Sequence, residues 1–196
     1  MPKPTLIVFA RSPAIGVGKT RLAKDVGAVE AWRLYRAMST RLLWKLRDPR
    51  WRVVLRLEGG RLDADWPKLP IETQGRGDLG QRLTRGLYRR GPVAVIGTDA
   101  PGVTRGHIAA AFRAGNAIGP ADDGGFWLLA LRDGRRARFD GVRWSSRHTL
   151  GDTLKVLGPL TRLETLVDID DLQSLRSSRR KPGPKLSQYG PRLSPG

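Results

Sequence analysis

Three cationic side chains crowd a glycine-bearing turn near the start of the chain. Residues Thr5–Leu22 read TLIVFARSPAIGVGKTRL. A short apolar run ends at Arg11, Pro13, Gly16 and Gly18 follow, and Lys19, Thr20 and Arg21 open a helix. Cations oppose the helix dipole at an N-terminus, so they are costly there unless an anion binds. Lysine offers a phosphate a point charge and arginine a bidentate fork. Lys19 and Arg21, with Arg11 across the turn, are therefore candidate phosphate ligands, and Gly18 lets a ligand approach the backbone. The alternative is an ordinary surface turn. Two familiar templates fail: a Walker A loop would need its first glycine at Pro13, and a dinucleotide fingerprint would need glycine at Arg21.

The carboxylates come later. Gly97-Thr98-Asp99-Ala100-Pro101 directly follows the apolar run Val93–Ile96. An acid at the C-terminal end of a central strand lies on the ligand-binding rim of an open α/β sheet. Asp99 could hold Mg²⁺, which usually takes one or two carboxylates plus phosphate oxygens. An Asx turn before Pro101 is the plainer reading. GPADDGGF (Gly119–Phe126) sets Asp122 and Asp123 beside Gly124 and Gly125. The glycines permit close approach to a ligand, and a plain Asp-Gly turn fits equally well. In Asp168-Ile169-Asp170-Asp171, extended geometry would point Asp168 and Asp170 to one side, suiting a second metal ligand. A helix N-cap with acids in its first turn fits them too. Gln74 stands before a glycine-rich turn at Gly77–Gly80. Its amide could read a base edge, although a simple helix start is the better reading. His107 and His148 lack a nucleophile context and are not read as catalytic.

The elements that must carry these residues alternate. Strands are expected at Thr5–Ala10, Trp51–Leu57, Val93–Ile96, Ala117–Ile118, Phe126–Leu131 and Leu163–Val167. Helices are expected from Lys19 to about Gly27, and at Ala28–Leu46, Leu79–Tyr88, Thr104–Ala114 and Thr149–Leu157. Ala31, Leu34, Tyr35, Met38, Leu42 and Leu46 recur at helical steps, and Thr104 is a plausible N-cap. Such alternation implies a mostly parallel α/β sheet.

Composition bounds the rest. The 196 residues suffice for one domain with a real core. No cysteine is present, which excludes a disulfide framework and thiolate zinc. No apolar run is long enough to span a bilayer, so a cytoplasmic protein is expected. The net charge is +18. A domain over residues 1–173 and a disordered basic tail over 174–196 are expected, the tail rich in Pro, Gly, Ser and basic residues. Such a surface attracts polyanions, so nucleic-acid binding is an alternative or accessory role.

Taken together, the ordered blocks IVFARSPAIGVGKTRLA, QGRGDLGQRL, VIGTDAPGVT, IGPADDGGFWLLAL, FDGVRWSS and DID resemble the bacterial radical-SAM/selenodomain-associated transferases. The resemblance covers roughly Thr5 to Leu172. It implies the three-layer α/β/α, glycosyltransferase-A-like fold of the nucleotide-diphospho-sugar transferases. It is also distantly similar to nucleotidyltransferases of molybdenum-cofactor and phospholactate chemistry, through Lys19-Thr20-Arg21-Leu22. The resemblance implies Lys19 and Arg21 on donor phosphates, and Gln74 and Gly80 near the base or sugar. It also implies Asp99 as the main ligand of Mg²⁺ (or Mn²⁺), Asp168 or Asp170 as the second, and Asp122 and Asp123 on the acceptor side. Arg11 stands where the family usually has Lys, and Phe126 where it has Tyr. The implied activity is a Mg²⁺-dependent transferase with a nucleotide or nucleotide-sugar donor and an unspecified small-molecule acceptor. Nucleotidyl transfer onto a phosphorylated acceptor is the alternative.

Overall fold

The computed structural model describes residues 2–17, 19–60 and 62–166. Seven strands form one sheet: β1 (Thr5–Arg11), β2 (Arg52–Glu58), β3 (Ile71–Thr73), β4 (Val93–Ile96), β5 (Ala117–Pro120), β6 (Phe126–Leu131) and β7 (Thr161–Arg162). The helices are α1 (Thr20–Val26), α2 (Ala28–Lys45), α3 (Leu79–Leu87), α4 (Arg105–Ala114) and α5 (Thr149–Leu157), with a 3₁₀ turn at Gly134–Arg136.

The strand order is β3-β2-β1-β4-β6-β5-β7. All pairings are parallel except those of β6, which runs against both β4 and β5. This is the mostly parallel α/β fold that the alternation implied. β4 is wholly buried, as a central parallel strand should be.

Side chains alternate between two apolar layers, as pleating requires. Leu6, Val8 and Ala10 of β1 join Leu42, Leu43 and Leu46 of the α2 region and Ile108 and Ala111 of α4. On the other face, Ile7 joins Leu83 and Leu87 of α3, with Leu150 and Leu154 of α5 packed against that cluster. Each fully buried Leu or Ile contributes about 2 kcal/mol. The sheet is therefore held between two helical layers.

The helix starts match the chemistry read from the sequence. Thr104 caps α4, its Oγ1 accepting from His107 N at 3.2 Å, and His107 Nδ1 returns the bond from Thr104 N. His107 also pairs with Glu164 and packs on Trp127, a structural role. β3 is an addition of three residues. The last strand differs from Leu163–Val167: β7 pairs at Thr161–Arg162, and Leu166 makes an isolated bridge to Ala121. Leu163 N still donates to Ile118 O and Leu166 N to Pro120 O. Three steps on one side thus span two on the other, and the surplus residue interrupts the ladder. Val167 and the expected tail over 174–196 lie outside the described residues.

Candidate functional site

The C-terminal ends of β1, β2, β3 and β4 open on one rim. β6 runs the other way and brings its first residue, Phe126, to the same rim. A cleft of about 680 Å³ lies there, within the range of small-molecule sites. After β1 the chain moves outward to β2 and β3, then returns to place β4 on the other side of β1. The junction between β1 and β4 is the topological switch point, where open α/β sheets bind ligands.

Two predicted residues meet at that junction. Lys19 Nζ lies 2.7 Å from Asp99 Oδ1. The lysine side chain is 7% exposed and the carboxylate 47%. Asp99 thus presents itself to solvent while the ammonium reaches it from beneath. Lys19 has a left-handed backbone, φ 46°, at the N-cap of α1. Among the described residues the only other non-glycine with positive φ is Ser145, at 52°. Both line the cleft. Such conformations cost of order 1–3 kcal/mol and gather at functional sites.

Beside this pair a second charge group spans β1, β2 and α3. Arg11 Nε donates to Glu58 Oε2 at 2.8 Å, and Arg82 Nη1 to Glu58 Oε1 at 2.9 Å. Burial pushes the Glu58 carboxyl up, but the bonds from Arg82 and Arg11 outweigh it and hold it below its ordinary value. Tyr35 of α2 fixes the end of β1, its hydroxyl accepting from Arg11 N and donating to Arg11 O, each at 2.9 Å. Burial pushes that phenol up.

Gln74 lines the cleft but its amide is partly committed. Nε2 donates to Ala10 O at 3.0 Å and Arg56 O at 3.1 Å, tying the ends of β1 and β2 together. Both amide hydrogens are thereby used, and Oε1 accepts from Arg82 Nη1 at 3.4 Å. The amide cannot donate to a base edge without releasing the sheet.

The remaining predicted residues divide. Asp123 lines the cleft, its Oδ1 accepting from Gly125 N at 2.8 Å. Asp122, Gly124, Gly80 and Arg21 do not line it. Arg21 is exposed on α1. Gly124 has φ 89°, and a Cβ there would stand 2.6 Å from Arg147 Cα, so it packs the turn against the segment before α5. Gly80 is the seat of Trp144: a Cβ would stand 3.0 Å from the indole Nε1 and 3.2 Å from Phe139 Cβ. Gly18, Asp168 and Asp170 lie outside the described residues.

Sequence reasoning missed Glu58, Arg82, Tyr35 and Trp144. Glu58 had a usable signal: it ends an apolar strand, as Asp99 follows one. Trp144 packs on Phe126 and Phe139, with centroids 6.5 and 5.7 Å apart. The loop bearing it is clamped from α5. Arg143 Nε and Nη2 donate to Asp152 Oδ2 and Oδ1 at 2.8 and 2.9 Å, and Arg143 N reaches Oδ2 at 3.2 Å.

The Arg143 side-chain bonds hold the Asp152 carboxyl far below the usual carboxylate range, against a smaller opposing push from burial. A carboxyl depressed on folding contributes its full stability above the unfolded value, about 3.9. That contribution is lost as pH falls through the folded value. Urea midpoints should therefore be level from neutrality to about pH 5 and fall below about pH 4. Asp152→Asn should be less stable at pH 7 and decline less steeply in acid. A mutant whose curve parallels the wild type throughout would refute this role.

The residues can be tested against a divalent cation. Among the described residues no three His, Cys, Asp or Glu side chains gather as a metal cage. One half-exposed carboxylate, Asp99, stands at the switch point. That donor set fits an ion of Mg²⁺ type completed by substrate phosphates and water, and does not fit a closed protein site.

A family of uncharacterized proteins conserved in bacteria, DUF2064, matches over residues 44–146, more than half of the chain. The chain belongs to this family. The DUF2064 match includes Glu58, Gln74, Arg82, Asp99, Asp123 and Trp144, and ends before α5. No curated protein matches the sequence. Among solved structures, the putative nucleotide-diphospho-sugar transferase of Desulfovibrio desulfuricans G20 superposes with a TM-score of 0.83 at 25% identity. The match covers 92% of this chain and 87% of that one. A homolog of Mycobacterium tuberculosis Rv0371c from Mycobacterium sp. strain JC1 gives a TM-score of 0.50 at 15% identity, over 90% of this chain and 94% of that one. The DUF2064 domain therefore has the nucleotide-diphospho-sugar transferase fold.

Proposed function

We infer that this DUF2064 protein is a divalent-metal-dependent transferase that moves a sugar from a nucleotide-diphospho-sugar donor. The observation that carries the reading is the Lys19–Asp99 pair at the β1–β4 switch point of the cleft. The likeness to the Desulfovibrio desulfuricans protein supports it.

The charge of the cleft supports the metal. Its lining holds three cations, Arg11, Lys19 and Arg82, against four carboxylates, Glu58, Asp78, Asp99 and Asp123. The protein's large positive surplus therefore lies elsewhere. A diphosphate entering this lining needs an accompanying cation. Asp99 would hold it, and when bound it would neutralise charge on the diphosphate leaving group. Lys19 would follow the phosphate oxygens as a point charge, and Arg11 would orient them from the edge of β1. In the transfer, an acceptor hydroxyl oxygen bonds to the sugar's anomeric carbon. The bond from that carbon to the diphosphate oxygen breaks, and the nucleoside diphosphate leaves with the electron pair. The hydroxyl proton passes to a carboxylate of the cleft. Asp123 suits that role, since backbone holds its Oδ1 and leaves Oδ2 for the proton. On the family resemblance alone, Asp168 or Asp170 is proposed as a further metal contact and Arg21 as a phosphate contact, although Arg21 stands outside the cleft lining on α1.

Thermal denaturation with nucleoside diphosphates and nucleotide-sugars, with and without Mg²⁺ or Mn²⁺, tests the reading. Ligand at about a hundred times its Kd adds about 2.7 kcal/mol. In a domain of this size that raises Tm by about 5–10 °C. The rise should require both nucleotide and metal. A rise with polyanions alone, or a nucleotide response untouched by EDTA, would overturn it.

A further inference from the structure

The rim reads β3, β2, β1, β4, β6 in spatial order, so the β1–β4 junction has two flanks. They differ in chemistry. On the β1–β2–β3 flank stand Arg11, Glu58, Gln74 and Arg82, a hydrogen-bonded polar group. On the β6 flank stand Phe126 and the Trp144 indole, their rings at 66° and 6.5 Å. Ser145 follows Trp144 with its positive φ, and Asp123 lies three residues before Phe126. All four line the cleft.

This flank contributes a carboxylate and no cation to the lining. All three cations of the cleft are held at the strand ends by Glu58 and Asp99, each pair within 2.9 Å. Two arginines lie near the flank. Arg143 is bound to Asp152, and Arg147 directs its Nε toward His148, so neither lines the cleft. A phosphorylated ligand placed here would meet Asp123 with no cation of the cleft lining beside it, which disfavours it by like-charge repulsion. Aromatic faces beside a carboxylate and a hydroxyl instead suit a ring with one apolar face and hydroxyl groups at its edge.

We propose that Phe126, Trp144, Ser145 and Asp123 form the acceptor subsite, and that its ligand is an uncharged hydroxylated ring, a sugar lacking phosphate. The proposal rests on the transferase reading for its place in the reaction. It also goes beyond it, because it selects a neutral acceptor over a phosphorylated one. Trp144 and Phe126 carry the ring face, and Asp123 takes the edge hydroxyl. Gly80 leaves room for the indole against α3, since a Cβ there would stand 3.0 Å from its Nε1.

Saturation-transfer NMR on the full chain tests it. The probes are the methyl glycosides of glucose, galactose, mannose and N-acetylglucosamine, against the 6-phosphates of the same sugars at equal concentration. Mg²⁺ and a nucleoside diphosphate are present throughout. At least one neutral glycoside should receive saturation, at its ring protons, several-fold more strongly than its phosphate ester. Trp144→Ala should abolish that signal and Trp144→Phe should restore part of it. Melting curves of each variant report folding. Stronger transfer to the phosphates, no transfer to any glycoside, or an unchanged signal in a folded Trp144→Ala protein would overturn the subsite. So would loss of the nucleoside diphosphate response in that variant, since the wall would then hold the base. A wild-type protein that binds a glycoside but no nucleoside diphosphate would leave the subsite standing and overturn the donor reading.

Discussion

Asp99→Ala is expected to remove metal-dependent nucleoside diphosphate binding, with affinity falling by about two orders of magnitude, or about 3 kcal/mol. The reason is position. Asp99 is the carboxylate at the switch point, paired with Lys19 and near the Tyr35 phenol. No second described acid is grouped with it and a third to take over its role. The cost to folding should be smaller, about 1 kcal/mol, because the carboxylate is half exposed and its pairing with Lys19 is screened by water. Asp99→Asn separates the two effects. It keeps a polar group near the lysine and loses the charge a divalent cation needs. Calorimetry should therefore show the same loss of metal-dependent binding with a near-native Tm. Metal-dependent affinity retained in Asp99→Asn would sink the assignment.

Much of the scaffold was legible because its signals are local. The apolar run Val93–Ile96 can only be a short buried strand, and the residue types that follow it mark a rim. Thr104 and the steps of α2 likewise depend on neighbours within four residues. Lys19 and Asp99 were both visible for this reason, although the sequence places them eighty positions apart. Their meeting at one carboxylate oxygen is a product of the strand order.

What stayed hidden depends on distance along the chain. β3 has three residues, too few to show a period. Arg82 looks like any helix-surface arginine until β2 delivers Glu58 to it. Gln74 reads first as part of a simple helix start and second as a reader of a base edge, and neither reading shows that its donors are needed between two strand ends. Arg21 sits two residues after Lys19, but the left-handed turn at Lys19 sends the helix start away and leaves Arg21 outside the cleft lining. Gly80 invited a reading of close ligand approach. The close approach is real, and the partner is an indole of the protein itself.

The same reasoning gives a large expected effect on folding at Gly119→Ala. Gly119 looks like part of a flexible acidic turn, but it is buried in β5 beside β6. A Cβ there would stand 2.5 Å from Cζ2 of Trp127, 2.7 Å from its Nε1 and closer still to Cε2. Real Cβ atoms do not approach so closely, so the indole must leave or the strands must part. Trp127 is 3% exposed, packs against His107, and donates Nε1 to Glu164 O at 3.0 Å. Moving it breaks that bond and opens the packing between β6 and α4. Overpacking costs about 1–3 kcal/mol and an orphaned buried donor about 1–3 more. We expect a loss of about 3–4 kcal/mol, read as a fall in Tm of about 8–15 °C. The indole offers its own control: Gly119→Ala combined with Trp127→Leu should be more stable than Gly119→Ala alone, because the smaller side chain vacates the methyl's place. If the double mutant is no better than the single, the clash with Trp127 is not what requires glycine at this position.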